Sequence, residues 1–254
     1  MYPEVKFIAL DVELTAGTYN NVYSAIYQEE LSGYMAGYAA VKMGYTKLGF
    51  LGGMAVPAVQ RFGYGYVQGA DAAAKELGIT IDMNYIYGGL FYGTADITAV
   101  MDTWYAGGTE VVFACGGGIY TSAAEAAKKV GGKVIGVDTD QAPIIDGMYG
   151  EGMTITSAMK GLAPTTIDTL TDVVINGKWA DYAGKIVSLG LVSEDPTANY
   201  VQLSGTTQFG EAFTEADYAA MVKGMFEGTI KVSNDISAEP ATTNVNVEYL
   251  GNLK

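Results

Sequence analysis

Residues 110–141, EVVFACGGGIYTSAAEAAKKVGGKVIGVDTDQ, constrain the fold more than any other stretch. They open on Val111-Val112-Phe113-Ala114, an apolar run too short for a helix, which predicts a buried strand. Gly116-Gly117-Gly118 follow. A helix is predicted next, with Ile119, Ala123, Ala127 and Val130 recurring at helical spacing. Gly131-Gly132 ends it, because a helix C-terminus often needs a residue with positive φ. A second apolar run over 134–137 then stops at Asp138. This is one βαβ unit, and such units imply a parallel sheet with a right-handed crossover.

In open parallel sheets, ligands sit outside the carboxyl ends of the strands. Gly116, Gly117 and Asp138 fall there. The glycines let a ligand approach the backbone, and free N–H groups at the next helix start can donate to it. Asp138 offers two acceptor oxygens to hydroxyl groups. Equally, the glycines could serve only a tight turn and Asp138 only a cap. A dinucleotide fingerprint is absent: the third glycine of G-x-G-x-x-G falls at Thr121.

Composition narrows the function classes. Of 254 residues, 49% are hydrophobic and 17% charged, so a substantial core is affordable. The net charge of −14 argues against a nucleic-acid groove and against a polybasic membrane contact. With no histidine, Ser-His-Asp, Cys-His and His-based metal sites drop out. The single Cys115 has no internal disulfide partner and reads as a small buried hydrophobe. No apolar run reaches transmembrane length. The start, Met1 to Lys6, does not read as a signal peptide and leads straight into a strand. Asp138, Asp140 and Asp146 superficially suggest a calcium loop, but the spacing lacks a third ligand and the glycine. No metal and no cofactor are expected.

Read in order, strands are predicted over 5–10, 47–51, 79–86, 153–155, 185–191 and 200–203, besides the two in the central unit. Helices are predicted over 26–43, from Pro57 to Gly78, from Thr94 or Asp96 to 105, from Ser157 through Lys160 to 175, and over 214–226. Small residues in 26–43 are expected to lie close to a sheet. Gly63, Gly65 and Gly69 are expected at close contacts. Thr214-Glu215-Ala216-Asp217 is a variant capping box. Residues 13–21 are a polar segment, and the tail over 233–254 is β-prone and placed on the surface. The loops after the strands carry Asp11, Gly52-Gly53, Phe91, Gly116 to Gly118 and Asp138, all on one side.

These residues together resemble the basic membrane protein family of substrate-binding lipoproteins, which includes purine-nucleoside-binding proteins. The matching pieces are Tyr2-Pro3-Glu4-Val5-Lys6-Phe7 through Asp11, Gln28-Glu29-Glu30 with Tyr34-Met35-Ala36-Gly37, and Gly49-Phe50-Leu51-Gly52-Gly53-Met54 with Pro57 and Arg61-Phe62. They continue with Phe113-Ala114-Cys115-Gly116-Gly117, Gly136-Val137-Asp138-Thr139-Asp140-Gln141 and Thr156-Ser157-Ala158-Met159-Lys160. They keep family order across most of the chain.

The resemblance implies a type I periplasmic-binding-protein fold: two α/β lobes of parallel sheet flanked by helices, with a ligand clamped between them. It implies delivery of a nucleoside-like solute to an ABC transporter permease, from an extracytoplasmic position that full-length members hold by a lipid anchor. It places Asp138 on the ribose hydroxyls, with Lys160 nearby. It calls for a base-stacking aromatic after the strand over 79–86, where Leu90 and Phe91 stand; Phe91 is the better candidate. Family members carry roughly a hundred further residues ahead of this point, so the N-terminal lobe is expected to be incomplete. Residues 1–56 are assigned to that lobe, with 157–184 as a candidate addition, and 57–156 plus 185–254 to the C-terminal lobe.

Two other function classes compete: an enzyme on a Rossmann-like sheet, and the ligand-sensing core of a regulator. The missing histidines, dinucleotide fingerprint and P-loop weigh against the first. The acidic charge and the lack of a DNA-binding module weigh against the second.

Overall fold

The computed structural model describes residues 2–15, 17 and 19–253. Met1, Ala16, Thr18 and Lys254 lie outside the described residues, and with them the first residue of the expected start, two of the polar segment and the last of the tail.

Two sheets form. The larger has seven strands in the order β10 (Val245–Asn252), β4 (Ile81–Tyr87), β3 (Lys47–Gly52), β5 (Val111–Cys115), β6 (Lys133–Asp138), β7 (Thr154–Lys160) and β9 (Val201–Leu203). All pairings in it are parallel except β7 with β9. The smaller sheet is β1 (Phe7–Leu10), β2 (Val22–Tyr27) and β8 (Ile186–Leu189), all parallel.

The large sheet is covered on both faces. Leu48, Phe50, Tyr85 and Phe113 pack under α1 (Glu29–Lys42), α2 (Pro57–Leu77) and α7 (Glu215–Phe226). Leu51, Ile86, Val112 and Ala114 pack under α3 (Ala95–Ala106), α4 (Tyr120–Val130) and α5 (Ala142–Tyr149). Alternate residues of one strand thus feed two cores, which is why β5 is buried at every position. The central βαβ unit forms as its pattern requires. Gly131 closes α4 at φ 76° and Gly78 closes α2 at φ 68°. Thr94 caps α3, and Thr214 with Asp217 forms the capping box of α7.

Four expectations are corrected. First, Lys160 does not open a helix. Residues 157–160 continue β7, pairing Asp138 with Met159 on one side and Lys160 with Val201 on the other. Pairing on both edges overrides the local helix pattern, and the helix α6 (Leu162–Leu170) starts only after Gly161. Second, Val22-Tyr23-Ser24-Ala25-Ile26-Tyr27 is a strand, and α1 begins after it. Third, the glycines of α1 are used against α2 rather than the sheet. A Cβ on Gly33 or Gly37 would collide with the carbonyls of Phe62 or Tyr66, and one on Gly65 or Gly69 with those of Glu30 or Tyr34. Fourth, a division at residue 56 does not follow the sheets. β3 lies inside the large sheet, because Leu48, Phe50 and Leu51 give it two apolar faces, whereas β8 joins the small one. The tail forms β10, an edge strand paired parallel to β4 and mostly exposed.

The chain crosses between the sheets at Gln28, Gly161 and Gly190. These crossings are stitched together by Gln28 N donating to Leu189 O, Tyr200 N to Gly190 O and Gly161 N to Tyr200 O. The Tyr27 hydroxyl donates to Thr165 Oγ1 at 2.9 Å. Lys160 sits beside this stitching.

Candidate functional site

A cavity of about 250 Å³ opens at the carboxyl ends of β5 and β6, where a parallel sheet offers its crevice. Asp11, Phe62, Phe91, Gly116, Asp138 and Lys160 are among its lining residues, and Gly117 also borders it. All five residues expected at the site therefore come together. A larger hollow of about 820 Å³ runs along the sheet beside Lys47, Asp82, Asn84 and Asn246. It lies at the opposite, amino ends of the strands, away from the crevice that a parallel sheet offers to ligands, so the smaller cavity is the better candidate.

The aromatic wall follows from three loops. Phe91 lies in the loop after β4, with its ring over Gly53 and Gly116; a Cβ on Gly53 would strike that ring. Gly118 N donates to Phe91 O at 2.8 Å, which ties the two loops. Gln141 fixes the next pair, donating from Nε2 to Gly117 O at 3.0 Å and accepting from Val137 N at 2.9 Å. Phe91 is 37% exposed, enough to offer a ring to a ligand.

The charged floor is built from both sheets. Asp11 follows β1 of the small sheet, Asp138 ends β6 of the large one, and Lys160 ends β7. Lys160 Nζ lies 2.6 Å from Asp11 Oδ2, 3.2 Å from Asp138 Oδ1 and 4.0 Å from Glu29 Oε1. Behind them, Arg61 Nε donates to Glu29 Oε2 at 2.6 Å. The ammonium also sits 5.6 Å from the Phe62 ring centre and 5.9 Å from that of Tyr27. Asp11 and Asp138 both have left-handed backbones, φ 63° and 65°.

Exposure decides which groups face a ligand. The Lys160 side chain is 4% exposed, whereas those of Asp11 and Asp138 are 36% and 32% exposed. The cation is sealed beneath, and the carboxylates reach the cavity. Burial raises the Asp138 pKa, and Lys160 opposes that rise. Burial pulls the Lys160 pKa down, but Asp138, Asp11 and Glu29 together outweigh it and hold the ammonium charged. Burial also raises the Glu29 pKa against the pull of Arg61. Burial pushes the Cys115 thiol well up, so it is no nucleophile.

The carboxylates of the supposed calcium loop do not converge. Asp146 accepts from Gly152 N and Thr154 N, and Asp140 accepts from Thr206 Oγ1. Among the described residues no group of three or more His, Cys, Asp or Glu is arranged to hold a metal.

Sequence reasoning singled out Asp11 as a strand end without making it a site residue. Its signal was the same as that of Asp138: an aspartate closing an apolar strand on the ligand side. Glu29, Arg61 and Phe62 stood only as motif residues, because their convergence needs the folded contact between α1 and α2.

The profile of the family described as ABC transporter substrate-binding protein PnrA-like matches residues 1–194. An ABC transporter nucleoside-binding protein, BmpA of Lactococcus lactis subsp. cremoris, is 34% identical over 148 residues, covering 55% of this chain and 40% of that one. Basic membrane protein B of Borreliella burgdorferi is 29% identical over 174 residues, covering 67% of this chain and 48% of that one. The chain thus spans about half the length, or less, of these relatives. Among solved structures, an ABC transporter solute-binding protein from Aeropyrum pernix K1 matches 92% of this chain and 66% of its own, at TM-score 0.66 and 22% identity. A transcriptional activator of the comK gene from Bacillus halodurans matches 90% of this chain and 72% of its own, at TM-score 0.68 and 18% identity. At such identities these structures speak for the fold alone, a periplasmic-binding-protein type of α/β fold. The chain belongs to the PnrA-like family of ABC transporter substrate-binding proteins, a family of binding proteins and not of enzymes.

Proposed function

We propose that this chain carries the ligand grip of an extracytoplasmic ABC transporter binding protein, and that its cargo is a purine nucleoside or a similar neutral, hydroxyl-rich solute with a flat ring. One observation carries the reading. The cavity turns two carboxylates and an aromatic ring toward solvent while its lysine stays buried behind them. Carboxylates accept from ribose hydroxyls, and Phe91 offers a face to a base. A phosphorylated ligand would bring its charge against two carboxylates, so a nucleoside suits this floor better than a nucleotide. The kinship with a nucleoside-binding relative supports the same ligand class.

In this reading Asp11 and Asp138 hold the ligand hydroxyls, Gly116 and Gly117 let it approach the backbone, and Lys160 steadies both aspartates. The loaded protein hands its cargo to an ABC permease, from the extracytoplasmic position that members of the family are expected to hold by a lipid anchor. Among the described residues no helix is long and apolar enough to cross a membrane.

Calorimetry with guanosine, adenosine, inosine and guanosine monophosphate tests this. Heat is expected with at least one nucleoside and less with the nucleotide. Hydrogen bonds to a charged group contribute roughly 1.5–3 kcal/mol, so Asp138→Ala is expected to weaken binding by about one to two orders of magnitude in a protein that still folds. Absence of heat with every nucleoside overturns the ligand class; equal affinity in the variant overturns the role of Asp138.

A further inference from the structure

Glu29 and Arg61 stand outside the function just described, yet they sit directly behind it. Glu29 is fully buried at the first turn of α1, where the chain has just crossed from the small sheet. Its Oε2 is clamped by Arg61 from α2. Its Oε1 has no hydrogen-bond partner and points toward Lys160 Nζ, 4.0 Å away. A buried carboxylate oxygen without a partner is costly, and proteins seldom keep one without use.

The geometry around Lys160 supplies the use. An ammonium has three N–H donors. Asp11 accepts one of them at 2.6 Å, Asp138 Oδ1 stands 3.2 Å away as the ion-pair partner nearest a second, and Glu29 lies within a small movement of the third. A ligand whose hydroxyls donate to the two aspartates competes for the same oxygens and loosens their hold on the ammonium. Glu29 is the counter-charge that no ligand can reach, and Arg61 prevents its carboxylate from turning away.

We propose that Glu29, anchored by Arg61, is a positioning residue for the binding site: it keeps the Lys160 ammonium charged and centred beneath Asp11 and Asp138, and takes up its third N–H when ligand hydroxyls engage the aspartates. The second half rests on the ligand reading above; the first does not. Besides Asp11, Asp138 and Glu29, the groups facing Lys160 are the Tyr27 phenol from β2 and the Cys115 thiol from β5. Glu30 adjoins Glu29 and Arg61 on the far side.

The test follows the Lys160 side chain directly, in the whole chain without ligand. With lysine labelled at Cε, its resonance is assigned by loss in Lys160→Arg, and its titration is compared in wild type, Glu29→Gln and Glu29→Asp. The midpoint is expected to fall in Glu29→Gln and to recover in part in Glu29→Asp. A folded Glu29→Gln with an unmoved midpoint overturns the proposal, because a merely structural role would lower the melting temperature and leave that titration alone. If Glu29→Gln does not fold, the wild type decides: the Glu29 Cδ resonance must step at the pH where Lys160 loses its proton, and a flat trace overturns the proposal. Guanosine calorimetry reads the second half, with binding about tenfold weaker expected in Glu29→Gln. Wild-type binding that Glu29→Gln leaves unchanged overturns it. No guanosine binding by the wild type overturns the second half together with the ligand reading, while the titration still decides the first.

Discussion

The two sheets are built from the same βα alternation but differ in depth. In the large sheet β5 is buried at all five positions, with helices on both faces. In the small sheet neither β1 nor β8 has a fully buried residue, and only β2 carries core side chains in Tyr23, Ala25 and Tyr27. Apolar side chains near it, Val5, Phe7, Ile167, Val174 and Ile175, stand exposed. Stability tracks buried apolar area, so one sheet holds its own shape and the other leans on its neighbours. The charged floor of the candidate site nevertheless draws on both: Asp138 and Lys160 from the deep sheet, Asp11 from the shallow one. On the proposed function, half of the grip would thus stand on a deeply packed sheet and half on a thinly covered one.

Hydrogen exchange breaks or sharpens this contrast with the largest effect. Amides of Val111–Cys115 are expected to exchange only on global opening, and those of Phe7–Leu10 by local opening, at least about a hundredfold faster. Equal protection in the two strands would end the comparison.

A smaller effect concerns Glu30, which belongs to the deep side through α1. Burial pushes its pKa from 4.5 up to about 7. Between these values the folded chain holds a proton that the unfolded chain has released. Stability from this group is thus complete below about pH 4.5 and is lost as pH rises through about 7. Glu30→Gln is expected to flatten that slope of melting temperature against pH while leaving exchange in β1 and β8 unchanged. A slope equal to wild type would place Glu30 outside the folding unit of the large sheet.

The smallest effect is expected at Ile175, which lies between α6 and β8 in the chain and is 77% exposed. Ile175→Ser should change unfolding free energy by less than about 0.5 kcal/mol in denaturant titration. A larger loss would mean that this face is covered in solution and that the contrast between the sheets is overstated.

The sequence made the deep region legible and the shallow one less so. Val111-Val112-Phe113-Ala114 reads as a strand because both its faces are apolar. Val22–Tyr27 carries no such signal; its partner β8 lies some 160 residues away, and no local pattern announces that pairing. Residues 157–160 look helical by themselves and become strand only because β6 and β9 flank them. The site followed the same rule. Asp138, Gly116, Gly117 and Phe91 could be found from strand ends in one sheet, whereas Asp11 and Glu29 depend on how the two sheets and their crossings meet.

The left-handed backbones of Asp11 and Asp138 have an evolutionary consequence. A side chain in that conformation costs roughly 1 kcal/mol that glycine would not. Glycine at either position would relieve that strain but would also take a counter-charge from the buried Lys160 ammonium, and breaking a buried ion pair costs about 3–5 kcal/mol, more than the strain returns. Selection for thermal endurance alone therefore has no route to glycine at residues 11 and 138 unless Lys160 is replaced as well. Aspartate at these positions thus ties the durability of the fold and the floor of the candidate site to the same three charges.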